Sequence, residues 1–103
     1  MWYTASILYE SVHNQKVKED DIWEEQIVLI LAESESDAMA KAEMIGKRGE
    51  ERYLSATNEK VRWTFRCVQS TYGLLDEELK HGTEVFSRFL RSSEARSLLT
   101  PLE

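Results

Sequence analysis

The sequence predicts an α+β domain. Its sheet is four-stranded and antiparallel-rich, in the element order ββαββα, with one main amphipathic helix on one face and a short C-terminal helix. Three observations predict this. Two segments, Trp2–Val12 and Lys60–Tyr72, alternate at a period of two. An unbroken apolar run, IVLILA, lies between them, and a stretch with helical periodicity, ESDAMAKAEMIGKRGEERY, follows that run.

The first strand puts Tyr3, Ala5, Ile7 and Tyr9 on one face and Thr4, Ser6 and Glu10 on the other, interrupted by Leu8. HNQKVKEDD, His13 to Asp21, is polar and reads as a mobile loop. The second strand, Ile22 to Ala32, begins with alternation and ends in the apolar run. Such a run suits burial on both faces, so this strand is expected next to the first and in the more interior position. Ser34, three residues before Asp37, is an Asp variant of the capping box. The helix that follows carries Ala38, Ala42, Ile45 and Gly49 on one stripe, flanked by Met39 and Tyr53. Small residues on that stripe allow close approach to a sheet. Gly46 and Gly49 weaken the second half by up to ~1 kcal/mol each relative to Ala, and Gly49 is a candidate end.

After the loop SATNE, the third strand sets Val61, Trp63, Phe65 and Cys67 against Arg62, Thr64, Arg66 and Val68. In LLDEELKHG, Asp76 is placed to cap a single helical turn and Gly82 to end it in a left-handed conformation. TEVFSRFL, Thr83 to Leu90, fits either period. Its Thr, Val and Phe favour a strand, which would return beside the third. The tail is expected to cap at Ser92 or Ser93 and form a short helix, SEARSLL, before Pro101.

The 103 residues favour a single domain over residues 1–103, long enough to bury a core. Apolar residues are 42% and charged residues 31%, which argues against disorder. The net charge of −6 opposes attachment to phosphate backbones and anionic membranes, so nucleic acid is not an expected partner. The charge is uneven: residues 1–59 hold 6 basic and 13 acidic groups, net −7, and residues 60–103 hold 7 basic and 6 acidic, net +1. A single cysteine, Cys67, excludes an internal disulfide and fits a reducing cytoplasm. No apolar run approaches ~20 residues, and the N-terminus has no signal-peptide pattern, so neither a membrane span nor export is expected.

WYTASILYES, EEQIVLILAES running into DAMAKAE, VRWTF, and LLDEELKHGTEVFSRFL stand in this order. As an ordered set they resemble a small bacterial family catalogued as a domain of unknown function, number four-two-eight-eight. The resemblance covers roughly residues 2–91. It implies a small standalone bacterial protein and carries over no activity, cofactor or site residue. Trp2, Trp63, Gly82, Glu84 and Arg88 fall within the matching segments.

The chain has no phosphate loop, no dinucleotide fingerprint, no H-E-x-x-H and no G-x-S-x-G. His13 sits in a polar loop, and His81 sits at a helix end whose dipole a cation would complement. Two histidines and one cysteine do not make a metal set, so no metal and no cofactor are expected. Cys67 shares the Trp63 and Phe65 face and reads as a small buried hydrophobe. Glu24 and Glu25 are adjacent on a strand and point to opposite faces, so they cannot act as a carboxylate pair.

The best constellation is Arg62, Arg66, Glu84 and Arg88, which adjacent third and fourth strands would bring together. Opposite charges across strands stabilise by ~0.2–1 kcal/mol without any ligand. The same fork-shaped guanidinium groups also suit an anion or an acidic side chain. The sheet face away from the helix, with Trp2, Leu8, Val28, Ile30 and Val68, needs a cover. Leu98 and Leu99 of the C-terminal helix, or a second copy of the chain, would supply it. The expectation is a cytoplasmic, non-enzymatic protein-interaction module of the adaptor or toxin-neutralising type, with a protein partner or self-association. The alternative is a binder of a small anionic ligand, or an enzyme, using the Arg/Glu patch.

Overall fold

A computed structural model describes residues 1–13, 22–54 and 61–100. The loops predicted at His13–Asp21 and SATNE, and the region of Pro101, lie largely or wholly outside the described residues. The elements are β1 (Trp2–His13), β2 (Trp23–Leu31), α1 (Glu35–Leu54), β3 (Val61–Gly73) and α2 (Ser92–Leu99). The sheet is antiparallel and three-stranded, in the order β2-β1-β3. The predicted four-stranded sheet in ββαββα order is therefore corrected, and so is the predicted interior place of the second strand.

β1 is the central strand because both of its faces are covered. Tyr3, Ala5, Ile7 and Tyr9 face α1, and all four are buried. Thr4, Ser6, Glu10 and Ser11 are buried as well. Burying those polar groups requires partners. Thr4 Oγ1 donates to Val85 O at 2.7 Å, Ser6 Oγ to Glu25 Oε2, and Ser11 Oγ to Ile22 O at 2.8 Å.

TEVFSRFL is the missing fourth strand. Among the described residues it pairs with no strand, and it runs irregularly. Its carbonyl at Val85 is taken by Thr4. Phe86 meets Tyr72 edge-on, with centroids 5.9 Å apart. The segment thus crosses the face of the sheet opposite α1 and does not extend the β3 edge. That edge is a poor template: the β1–β3 register shifts between Ser6 and Ile7, and again between Leu8 and Tyr9. The skipped residues are Gln69 and Arg66, and bulges there break a ladder.

The second bulge overturns the period-two reading of Cys67. Phe65 stands opposite Tyr9 on the helix side, whereas Cys67 stands opposite Leu8 on the other side and is exposed. Val68 packs on the core instead.

α1 is built as its stripe predicts. Ala38 and Ala42 are fully buried, with Ile45 packed against the same cluster. Gly46 and Gly49 let the helix settle on two rings. A Cβ at Gly46 would run into Phe65, and a Cβ at Gly49 would run into the Tyr9 hydroxyl. Gly49 does not end the helix, which continues to Leu54. At its start Ser34 Oγ accepts the Asp37 N–H at 3.1 Å, as the capping box requires, while Asp37 Oδ2 reaches Glu33 N–H. That backbone bond, then Lys41, hold the Asp37 carboxyl below its ordinary value.

Beyond β3 no helical turn forms at Asp76. Lys80–Thr83 is a turn closed by Thr83 N–H to Lys80 O, and Gly82 takes the expected left-handed conformation at φ 86°. α2 is capped by Arg91 rather than by Ser92 or Ser93, with Glu94 Oε1 accepting the Arg91 N–H. It buries no residue and packs on none of the other elements, so it does not cover the sheet.

Candidate functional site

β2 is apolar in sequence and open in structure. The register with β1 sorts its side chains. Glu24, Gln26, Val28 and Ile30 face the α1 side; Trp23, Glu25, Ile27, Leu29 and Leu31 face away. On the far side Trp23 is 49% exposed, Ile27 47%, Leu29 47% and Leu31 57%. Isolated exposed apolar residues are ordinary on a protein surface, whereas several on one strand face, here interrupted only by Glu25, mark an association site.

The α1 side of β2 is only partly roofed, because α1 packs chiefly on β3 and β1 and least on β2. A groove remains between the strand and the helix. Leu29, Ile30, Leu31, Lys41, Met44 and Arg48 line one part, and Gln26, Val28 and Arg48 line the next. Lys41 Nζ donates to Leu31 O at 2.8 Å and pairs with Asp37 at 3.2 Å. Gln26 Nε2 donates to Glu24 Oε1 at 2.9 Å. Lys41 and Arg48 line the groove at its Leu31 end, and Arg48 also lines the part beside Gln26.

Of the four residues proposed as a patch, Arg62 and Arg66 stand on β3, and Glu84 and Arg88 on the irregular segment. All four are exposed. No ion pair among the described residues joins any two of them. Arg66, at the bulge, gives its Nε–H to Glu10 Oε1 at 2.7 Å. The Glu10 side chain is only 8% exposed, so this pair satisfies a buried carboxylate. Glu10 is the residue that strand pairing in sequence did not supply. Its signal was the lone carboxylate of the first strand, on the same face as Thr4 and Ser6. Arg66→Ala is expected to lower stability by about 1–3 kcal/mol, because it leaves Glu10 buried without its donor. Urea unfolding measures this, and Arg62→Ala, on an exposed side chain, serves as the neutral comparison.

Among the described residues no three His, Cys, Asp or Glu side chains are grouped as a metal-ligand set. No helix there is long and apolar enough to cross a membrane. The family model of a domain of unknown function, DUF4288, matches residues 2–87. Neither a curated protein nor a solved structure matches the chain.

Proposed function

This chain belongs to the DUF4288 family, a domain of unknown function, and from that premise we propose that it is a non-enzymatic protein-interaction module of the adaptor or toxin-neutralising kind. One observation carries the proposal. Trp23, Ile27, Leu29 and Leu31, four large apolar side chains, lie half-exposed in a row on one face of a single strand. Leaving them in water forgoes roughly 25 cal/mol for each Å² of apolar surface, which a partner recovers on docking. The row is rigidly held, since β2 is laddered to the most buried strand of the domain. The docking face therefore needs little ordering on binding.

The test is capture from an extract of the native cell, with tagged chain as bait and its Leu29→Lys variant as control. Leu29 is half-exposed, so the variant should keep the wild-type circular dichroism spectrum and unfolding midpoint. The expected result is a protein enriched by the wild type and lost with Leu29→Lys. For proteins other than a second copy of this chain, equal enrichment by both baits, or none by either, would overturn the proposal.

A further inference from the structure

We infer that β2 is the two-fold interface of a homodimer, in which the outer edges of two copies pair antiparallel into one continuous six-stranded sheet. The inference rests on β2 being an association strand, as proposed above, and names the occupant of its edge.

Backbone direction comes first. The Ile22 carbonyl and the Ala32 N–H both turn toward β1, bonding Ser11 N–H and Met1 O at 3.0 Å each. By the alternation of a strand, even-numbered residues of β2 serve β1. Trp23, Glu25, Ile27, Leu29 and Leu31 then aim their N–H and C=O groups outward. Leu31 O, which receives Lys41 from outside the sheet, fits this. No strand among the described residues takes that outer row.

The two edges of the sheet are not alike. β3 has bulges at Arg66 and Gln69 and exposes Arg62 and Arg66, devices that prevent edge pairing. β2 has no Pro, no Lys and no register shift. Its apolar run is of the kind found in central strands, yet among the described residues it has a neighbouring strand on one edge only.

The row is also self-complementary. The five outward residues are symmetric about Ile27, so a two-fold axis there sets Trp23 opposite Leu31, Glu25 opposite Leu29 and Ile27 opposite itself. No like charges meet. On the α1 side, the same register places Glu24 of one copy opposite Ile30 of the other. Ile30 lines the groove that Lys41 and Arg48 also line, so this register carries the Glu24 carboxylate toward two basic side chains.

The experiment is sedimentation equilibrium on the full chain and on Ile27→Lys and Ile27→Glu, alone and mixed in equal amounts. The wild type should be a dimer. Each variant alone should be a monomer with wild-type circular dichroism, because its like charges face each other across the axis. The mixture should recover the dimer. Leu29→Lys should remain dimeric, since its new ammonium group would lie opposite Glu25 of the other copy. A monomeric wild type overturns the inference, and so does a dimer that survives in either Ile27 variant, or a mixture that stays monomeric. If the Ile27 variants fail to fold, hydrogen exchange of the wild type decides: concentration-dependent protection must appear at the amides of residues 25, 27 and 29, and its absence overturns the inference. Loss of the dimer leaves capture by the Leu29 face untouched, so the two proposals fail separately.

Discussion

Tyr9→Ala is expected to cost about 3–5 kcal/mol of folding stability, the range for truncating a large buried aromatic side chain. Tyr9 is fully buried in the central strand. Its hydroxyl donates to Gly46 O at 2.8 Å, and its ring meets Phe65 edge-on with centroids 6.1 Å apart. The side chain therefore joins all three layers of contact at once: sheet centre, helix backbone and β3. A domain of this size has about 5–15 kcal/mol in total, so the variant should show a large drop in urea midpoint. Tyr9→Phe keeps the ring and loses one hydrogen bond, for about 1 kcal/mol. A Tyr9→Ala loss no larger than that of Tyr9→Phe would show that the ring packs loosely and that the helix is held elsewhere.

The second large effect is Gly49→Ala. In an exposed helix this change stabilises by up to ~1 kcal/mol. Here the new Cβ overlaps the Tyr9 hydroxyl and comes to 2.8 Å from Tyr9 Cζ, and both partners are buried. Overpacking of this kind costs about 1–3 kcal/mol, so the sign reverses and the variant is less stable. Because the obstruction is mainly one oxygen, Gly49→Ala should cost less in a Tyr9→Phe background than in wild type. That difference is the coupling read from a double-mutant cycle. Gly46→Ala meets Phe65, which is only partly buried, so that ring has room to yield and the loss should be smaller. A gain in thermal midpoint for Gly49→Ala would mean that the helix stands further from the sheet than this geometry requires.

The main helix and three of the strands were legible because each has a periodic pattern that local geometry enforces. The α1 stripe of Ala38, Ala42, Ile45 and Gly49 is one such pattern; Tyr3 to Tyr9 is another. Two features escaped for one reason: strand alternation assumes a regular ladder. The bulge at Arg66 slipped the parity of β3, moving Cys67 to the exposed face and Val68 to the core. It also set Arg66 beside Glu10, where sequence pairing had suggested Glu84. TEVFSRFL has good strand propensity, yet propensity is a preference for a half-buried pleated surface and does not supply a partner edge. Thr4 and Tyr72 hold the segment across the sheet instead.

The candidate surface was half legible. The composition of IVLILA marks a strand and suggests burial on both faces, whereas in the fold Ile27, Leu29 and Leu31 stay half-exposed on one face. Its position at an edge could not be read, because strand order depends on which strand can satisfy polar groups on both faces. β1 does so through Thr4, Ser6, Glu10 and Ser11, each bonded to a partner far along the chain. The sequence by itself determined the types of the three strands and two helices that form, the helix stripe, the left-handed Gly82 and the apolar character of β2, because these follow from neighbours within a few residues. Only the tertiary structure decided that β1 is central, that the chain after Gly82 lies over the sheet, and that β2 is left open. Those outcomes turn on long-range hydrogen bonds and on bulges, which no local period encodes.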